Sequence, residues 1–427
     1  MSIFLLADDN YTARLAETPP PWGRPLIGVP EQGQFQMTDW HMLPHVIVHA
    51  LARHPARART PSEASVCVVA SPIGSTSREA REHCSGRAGV EVHQRLLALG
   101  EQHCPKAPLV VVDGPDADGA NTALCSSLWS PRSCVRGGSD RLVRVTGNAP
   151  SIQSEVAMGM QRGLCRRLVV PYVAHARSSR AAQVTTGRTL RIAYAAASWG
   201  HVDAEAHGFV AWRKALRNAC KRLHARNASE CQWVWISMSG NGAEAALQKY
   251  KDADFCLQPP GDTLPRPGVI DSISVGCIPV LFHPAQRTLW AHHWDGENSS
   301  VTIDFSGGAP RPRLHEQKVY EAQADAALRQ LLQMPEAKLR QLKRGVAAAA
   351  SRLVYGAGDT VEQANGADAI GILVERLRKL KLEPSQAEAD EHARSLAARG
   401  AMIEAQRSYE RRADIPRVQW FQRRRYK

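Results

Sequence analysis

Short apolar runs alternate with amphipathic segments along the first part of this chain. Val66–Ala70 and Leu109–Val112 are continuous apolar runs, typical of strands buried in a parallel sheet. Between them, the spacing of Val92, Leu96 and Leu99 predicts an amphipathic helix. Strands that alternate with helices favour an α/β lobe with a parallel sheet.

The second part of the chain repeats this alternation. Its pattern predicts strands at residues 190–195 and 233–238, and helices at residues 209–224 and 243–250. Residues 177–187 are rich in Ser, Gly and Arg, which is typical of a linker between lobes. The predicted organisation is an irregular N-terminal segment over 1–45, an N-terminal lobe over 46–180, a C-terminal lobe over 188–380 and a basic helical tail over 384–427.

One stretch of the second lobe carries more chemistry than the rest of the chain. Residues 255–280 predict a strand, a Pro/Gly turn, a brief helix with a carboxylate, and a second strand. Pro267 suits the first helical turn, and Gly276 follows as a stop. The unpaired N–H groups at such a helix start attract anions such as a nucleotide diphosphate. Physically, a generic strand-helix-strand unit with a solvated Asp271 and Arg266 explains the pattern equally well.

Composition permits two folded lobes and favours anionic partners. The chain has 427 residues, of which 44% are hydrophobic, so it can bury two substantial cores. Its net charge is +13, which favours nucleotide sugars, acidic glycans, nucleic acid or phospholipid head groups. No recognised nucleic-acid motif accompanies the charge, so a basic nucleic-acid-binding protein is kept only as a rival interpretation.

The string FCLQPPGD, continued by IDSISVGCIPV, resembles the signature of the exostosin family (GT47) of glycosyltransferases, especially its plant cell-wall branch. Weaker similarities at residues 51–71, 167–172 and 191–198 follow the order of that family. The resemblance implies an α/β GT-B fold, with two Rossmann-like doubly wound lobes facing a cleft. It also implies inverting transfer of a hexosyl or pentosyl group from a nucleotide sugar, expected to be a UDP-sugar, to a glycan or glycoprotein acceptor.

The same resemblance assigns the donor site. Arg266 and the loop amides from Gly261 are expected to hold the phosphates, Asp271 and Ser272 the ribose, and Arg213 the pyrophosphate. The chain departs from the family at two positions. Gly268 stands where many relatives carry an arginine, and Pro267 replaces one member of the arginine pair of the plant branch. Part of the positive charge for the diphosphate is therefore expected from elsewhere, and a weakly active or inactive glycan-binding relative stays open as an alternative.

The catalytic base is not identified by the sequence. Asp113, Asp116 and Asp118 follow a predicted strand of the first lobe and are candidates, with solvated loop acids as the alternative interpretation. Asp116 and Asp118 have the Asp-x-Asp spacing of metal-dependent transferases, but they lie away from the donor motif. GT-B enzymes use positive side chains and helix N-termini instead. We therefore expect no metal and no cofactor apart from the nucleotide-sugar substrate.

Histidines and tryptophans offer two further interpretations. His41, His45 and His49 have helical spacing that could present imidazoles to Zn²⁺, but Pro44 disfavours a continuous helix and no carboxylate or Cys completes the set, so surface or packing roles are favoured. A second group lies beyond the donor motif, where contact with a sugar is possible but core packing of the tryptophans is favoured. This group consists of Trp290, His292, His293 and Trp294.

The ten cysteines include no Cys-x-x-Cys pair, so a zinc ribbon or a thioredoxin-type site is not expected. Cys256 and Cys277 lie in apolar strands, where the preferred interpretation is a pair of buried free thiols. In an oxidising lumen, pairing is expected among some of the loop cysteines. These are Cys84, Cys104, Cys125 and Cys134.

The family implies a type II protein of the Golgi membrane, facing the lumen. Only seven residues precede Asp8, whereas a spanning helix needs about 20 apolar residues. Membrane contact is therefore expected only through an anchor that is absent from this chain. The expected partners are a nucleotide-sugar donor and a glycan acceptor, and no nucleic acid.

Overall fold

Two lobes, each built on a five-stranded sheet, make up the described part of the computed structural model. The structure describes residues 2–6, 10–20, 42–70, 95–96, 98–112, 142–147, 166–175, 187–196, 209–236, 242–260, 266–304, 317–355 and 368–379. The predicted linker, apart from Gly187, and the predicted tail over 384–427 lie outside these residues.

The first sheet is entirely parallel, and its described strands follow one another in chain order. Both faces of the middle strands are buried, because every residue of Val66–Ala70 and Leu109–Val112 is inaccessible or nearly so. The strands are β1 (Ile3–Leu5), β2 (Val66–Ala70), β3 (Leu109–Val112), β4 (Leu142–Thr146) and β5 (Arg166–Val169).

The second sheet is also parallel, but its strand order reverses. The order is β10-β9-β8-β6-β7, so the strand that starts the lobe lies inside the sheet rather than at its edge. This is the doubly wound arrangement of Rossmann-like folds. The strands are β6 (Leu190–Ala196), β7 (Cys231–Trp235), β8 (Ala253–Gln258), β9 (Ile278–Leu281) and β10 (Val301–Thr302).

Helices connect and cover the strands. Helices α1 (Asn10–Glu17) and α2 (Leu43–Arg53) belong to the first part of the chain, where residues 95–96 and 98–103 are also helical. Helices α3 (Phe209–Arg226), α4 (Gly242–Asp252) and α5 (Pro267–Ser274) join successive strands of the second sheet. The remaining helices are α6 (Pro284–Arg287), α7 (Gly296–Ser299), α8 (Gln317–Leu332), α9 (Glu336–Ala350) and α10 (Ala369–Arg378). No helix among the described residues is long and apolar enough to cross a membrane.

The chain returns to the first lobe at its described C-terminal end. Tyr355 and the apolar side of α10 belong to the same buried cluster as Ile3, Ile47 and Val68. The hydroxyl of Tyr355 donates to the carbonyl of Pro171 at 2.6 Å. The two lobes are therefore tied together by packing as well as by the linking chain.

The predicted α/β class with two parallel, Rossmann-like lobes is confirmed, and the reversal of strand order that defines double winding is described in the second lobe. The expectation of an irregular segment over 1–45 is wrong for its described part, because β1 pairs in register with β2 and α1 packs beside α2. Ile3 and Leu5 are almost fully buried, which is the physical reason why three residues suffice for an edge strand. The pattern at that edge is too short to recognise from sequence.

The expectation of free thiols at Cys256 and Cys277 is also wrong. These residues form a disulfide with a Cα–Cα distance of 5.9 Å, joining β8 to the residue before β9. A second disulfide, Cys220 to Cys231, joins α3 to β7, and Cys104 pairs with Cys67 of β2. All six described cysteines are thus paired, because neighbouring parallel strands and their helices bring the Cα atoms within bonding range.

Candidate functional site

The reversal in the second sheet defines a crevice. From β6 the chain moves outward to β7 and then returns to β8 on the other side of β6. In doubly wound sheets, ligands bind outside the carboxyl ends of the strands at such a switch point. Tyr194 marks this place, because it lies in β6 directly beside Leu257 of β8.

Three arginines gather around this switch point. Arg213 and Arg217 lie one turn apart on α3, and Arg266 immediately precedes α5. Burial raises the pKa of the Tyr194 phenol well above its usual range, while the charges of Arg213, Arg266 and Arg217 act in the opposite direction. All three guanidinium groups are therefore close enough to act on the same buried hydroxyl.

Hydrogen bonds to the backbone hold two of these arginines. The Nε of Arg213 donates to the carbonyl of Pro260 at 3.1 Å, and Nη1 of Arg266 donates to the carbonyl of Pro259 at 2.8 Å. Arg213 is almost fully buried, with 8% of its surface exposed. Both arginines are thereby anchored to the turn that follows β8, the predicted phosphate turn.

Arg217 completes the cluster and was missed by the sequence analysis. Its Nε is buried and has no hydrogen-bond partner among the described residues. An unsatisfied buried donor in a native structure calls for a partner such as a bound ligand or water. The spacing of four residues from Arg213 on a predicted helix was the signal that would have identified it.

Helix α5 begins where the sequence predicts. Pro267 occupies its first turn and Arg266 has extended backbone dihedrals at the N-cap, while Gly276 beyond its end has a φ of 76°. No side chain caps the N-terminus. The N–H groups of its first turn can therefore donate to a bound anion.

Asp271 lies on α5 with 5% of its surface exposed. Its Oδ1 accepts a hydrogen bond from the backbone N–H of His175 at 2.9 Å, and its Oδ2 lies 2.8 Å from Nδ1 of His175. Burial opposes protonation of His175, but the charge of Asp271 and this hydrogen bond outweigh it and raise the histidine pKa. The predicted contact of Asp271 with ribose would therefore compete with a contact from the first lobe.

Ser272 faces into its own helix. The side chain is fully buried, and its hydroxyl donates to the carbonyl of Val269 at 2.8 Å. This geometry gives no support to the predicted contact between Ser272 and ribose, which stays a prediction.

Gly268 packs against a buried amide. A Cβ at this position would lie 2.6 Å from Oε1 of Gln258, which is fully buried at the end of β8. The carbonyl of Gln258 is held by Nε2 of Gln286 at 3.1 Å. A side chain at 268 would require the Gln258 amide to move, which explains why an arginine does not fit here without other changes.

Four predicted site residues lie outside the described residues. Gly261 belongs to the phosphate turn, and Asp113, Asp116 and Asp118 follow β3. Their assigned roles stay predictions. His175 is the second residue that sequence reasoning missed, because a single histidine after a strand carries no distinguishing pattern.

The histidine interpretations are now clearer. Helix α2 starts at Leu43 with Pro44 in its first turn, where proline is tolerated, so the helix holds His45 and His49 one turn apart. His45 contacts the carbonyl of Thr18 at 2.7 Å, and Nδ1 of His49 lies 2.9 Å from Arg53. His41 lies outside the described residues, among which no group of metal-ligating side chains occurs.

The tryptophans after the donor motif pack in the core, as favoured by the sequence. Trp290 and Trp294 expose 2% and 3% of their surfaces, and His293 is fully buried. Burial lowers the pKa of His293 to about 3, although its Nδ1 donates to the carbonyl of Arg352 at 3.1 Å. These residues support the second lobe and do not face the crevice as a sugar platform.

Comparison with known proteins agrees with the resemblance found in the sequence. The profile of the Exostosin GT47 domain matches residues 123–304, a range that includes His175, Arg213, Arg217, Arg266 and Asp271. This match covers less than half of the chain, and it confirms the resemblance found in the sequence.

Curated relatives include plant enzymes. The chain is 25% identical over 179 residues to the xyloglucan galactosyltransferase MUR3 of Arabidopsis thaliana, covering 40% of this chain and 27% of that protein. It is 39% identical over 57 residues to the xyloglucan-specific galacturonosyltransferase 1 of Arabidopsis thaliana, covering 13% of this chain and 9% of that protein. The matches therefore span less than a third of the length of these relatives.

Solved structures with a similar trace include the GtfA/B complex, at 11% identity and a TM-score of 0.39, covering 74% of this chain and 58% of that one. Another is the α,α-trehalose-phosphate synthase (UDP-forming) from Burkholderia xenovorans, at 10% identity and a TM-score of 0.37, covering 80% of this chain and 77% of that one.

Proposed function

We propose that this protein is an inverting glycosyltransferase that takes a hexosyl or pentosyl group from a UDP-sugar and transfers it to a glycan. The observation that carries the proposal is the convergence of Arg213, Arg217 and Arg266 at the switch point of the second sheet. Glycosyl transfer from a nucleotide sugar releases a nucleoside diphosphate, whose developing charge must be stabilised. Fixed guanidinium groups provide that stabilisation, since each can donate two N–H groups to phosphate oxygens.

The arginine cluster compensates for the departures from the family pattern. Pro267 and Gly268 replace arginines that relatives carry on or before the donor helix. Arg213 reaches the same turn from α3 and donates to the carbonyl of Pro260, and Arg217 lies one turn further along α3 with its buried Nε unpartnered among the described residues. Together with the N-terminus of α5 they supply the positive charge at the diphosphate. We propose that no metal ion is needed for this reason.

Relatives indicate the class of acceptor. The curated relatives are named as xyloglucan galactosyltransferases and a xyloglucan-specific galacturonosyltransferase. We therefore propose a plant-type cell-wall polysaccharide or a chemically similar glycan as the acceptor, with UDP-galactose and UDP-galacturonic acid as the first donors to test. The hydroxyl-rich surface of such a glycan needs no net charge in its binding site.

The disulfides support a lumenal location. Three pairs are formed among the described cysteines, and disulfides persist in the secretory pathway but not in a reducing cytosol. We propose the Golgi lumen as the site of action, as the family resemblance implies.

A transfer screen tests the proposal. The intact protein is incubated with UDP-galactose, UDP-galacturonic acid, UDP-xylose, UDP-arabinose, UDP-glucuronic acid or UDP-N-acetylglucosamine, with xyloglucan oligosaccharides as acceptor, and released UDP is measured with and without EDTA. We expect UDP release with one donor, unchanged by EDTA, and a product of inverted anomeric configuration. Binding of UDP without release from any donor would instead indicate an inactive glycan-binding relative.

A further inference from the structure

A histidine of the first lobe reaches the donor helix of the second. His175 lies six residues beyond the carboxyl end of β5, and its backbone N–H and imidazole both contact Asp271 of α5. The side chain of His175 keeps 17% of its surface exposed, whereas that of Asp271 keeps 6%. The pair therefore joins the two lobes beside the crevice, with the imidazole as its more accessible member.

The segment before His175 is rigidly packed. Tyr172, Val173 and Ala174 are buried, and the ring of Tyr172 lies 6.2 Å from that of Trp290 in the second lobe. The carbonyl of Pro171 accepts a hydrogen bond from the hydroxyl of Tyr355. A side chain that follows such a segment has a fixed position, which a group acting on a substrate requires.

The contact with Asp271 fixes the chemistry of the imidazole. An ionised carboxylate only accepts hydrogen bonds, so Nδ1 of His175 carries the proton. The other ring nitrogen, Nε2, has no hydrogen-bond partner among the described residues, and in the neutral imidazole it holds the lone pair. An imidazole oriented by a carboxylate in this way is the arrangement that serves as a general base in hydrolases.

Resting on the proposed transfer reaction, we infer that His175 is the general base, with Asp271 as the residue that orients it. Nε2 takes the proton from the acceptor hydroxyl while the hydroxyl oxygen bonds to the anomeric carbon. The bond between that carbon and the diphosphate oxygen breaks, and its electron pair leaves on UDP. Protons and electrons balance without any further reactant, and the imidazolium later returns its proton to solvent.

The two lobes share this base. His175 belongs to the first lobe and Asp271 to the donor lobe, so the oriented imidazole exists only when the lobes are in the described arrangement. Among the described residues, Asp271 is the charged group that acts on His175. Its charge stabilises the imidazolium that forms during transfer, as burial alone would not.

Substitution of His175 by asparagine separates catalysis from lobe contact. In His175→Asn, the side-chain amide can still donate to Asp271 from the position of Nδ1, but Nε2 is gone. We expect kcat to fall by about 100-fold or more, the usual contribution of a general base. The dissociation constant for UDP, measured by calorimetry, should stay within about threefold of wild type, because the arginines that hold the diphosphate are untouched. His224→Asn, on the outer part of α3, is the matched control and should keep wild-type turnover.

The pH dependence provides the second readout. For a base, turnover rises with pH through the pKa of His175. In Asp271→Asn the charge that raises this pKa is lost, so the acid limb of kcat/KM should move to lower pH and the maximum rate should fall. A role confined to holding the lobes together would not shift that limb.

The outcomes are distinct. Wild-type turnover in His175→Asn, or an acid limb that does not move in Asp271→Asn, overturns the inference while leaving the proposed function intact. If His175→Asn recovers full turnover at saturating UDP-sugar, His175 is a binding residue, and the inference is overturned as well. A wild-type protein that neither binds UDP nor transfers sugar removes the proposed function and the inference together.

Discussion

The two lobes use the same parallel architecture differently. In the first sheet the described strands follow chain order, whereas in the second the order reverses between β6 and β8. A reversal opens a crevice at the carboxyl ends of the strands. The second lobe fills its crevice rim with Arg213, Arg217 and Arg266, while the first lobe extends His175 across to Asp271.

The two lobes contribute different kinds of charged group to the crevice. The second lobe presents fixed cations and a helix N-terminus, which suit the leaving diphosphate. The first lobe contributes a titratable imidazole, which suits proton transfer with the acceptor. Under the proposed function, the topology separates the two chemical demands of glycosyl transfer, and substitutions on either side should give different kinetic signatures.

The largest expected effect concerns the cations of α3. Replacing both Arg213 and Arg217 by glutamine should weaken UDP binding by more than about 100-fold, because each charge-assisted hydrogen bond is worth about 1.5–3 kcal/mol. Calorimetric titration measures this loss.

Arg222→Gln is the matched control for that variant. Arg222 lies on the same helix but pairs with Asp325 of α8 at 2.9 Å, and it is 45% exposed. Its substitution should leave UDP affinity unchanged. Equal losses in both proteins would mean that α3 attracts UDP only through general charge.

The next effect concerns the disulfide within residues 255–280, the strand-turn-helix-strand segment called here the donor unit. Cys256 and Cys277 are 21 positions apart in sequence, and the residues between them include the phosphate turn and α5. Replacing both by alanine should lower the free energy of unfolding by about 3 kcal/mol, because the disulfide no longer restricts the conformations of the unfolded chain. Urea denaturation measures the change.

The disulfide between Cys220 and Cys231 provides the comparison, with a separation of 11 residues outside the donor unit. Its removal should cost a similar free energy of unfolding but leave UDP affinity intact. If removing the Cys256 to Cys277 bond leaves UDP affinity equally intact, the donor unit does not depend on its covalent closure.

A smaller effect concerns the buried histidine of the second lobe. The folded pKa of His293 is about 3, against 6.5 in the unfolded chain, so between these values the unfolded state binds more protons. Stability should therefore fall as pH drops below 6.5, by about 2–3 kcal/mol at pH 4.5 from this residue. His293→Asn keeps a donor near the carbonyl of Arg352, and its loss of stability between pH 7 and 4.5 should be smaller by that amount. Equal losses in both proteins would contradict this assignment.

The smallest effect concerns Gly268. Its Cβ in Gly268→Ala would lie 2.6 Å from Oε1 of Gln258, and we expect a destabilisation of about 1–2 kcal/mol from overpacking. Combining it with Gln258→Ser should restore part of that loss. Urea denaturation of the single and double variants tests the contact, and a stability unchanged in Gly268→Ala would show that Gln258 moves freely.

Local patterns predicted the second lobe well. Apolar runs predicted β6 and β8, and Pro267 and Gly276 predicted the limits of α5, because these signals depend on neighbours in sequence. The first lobe was predicted less completely, since β1 has three residues and gains its stability from pairing with β2. Such long-range pairing leaves no short-range pattern.

The candidate site shows the same division. Arg213, Arg266 and Asp271 could be proposed as site residues because they lie within or near a motif of the resembled family. His175 could not, because its role depends on a contact with a residue 96 positions away. The disulfide between Cys256 and Cys277 was missed for a related reason, since two apolar strands with one cysteine each are equally consistent with buried thiols.

Calorimetric titration of the intact wild-type protein with UDP, with UMP as the comparison, tests the central claim most directly. If the arginines at the switch point hold a diphosphate, UDP should bind at least tenfold more tightly than UMP. The advantage should be lost when Arg213 and Arg217 are both replaced by glutamine. No heat with UDP or any other nucleoside diphosphate would contradict the assignment of this crevice as a nucleotide-sugar donor site.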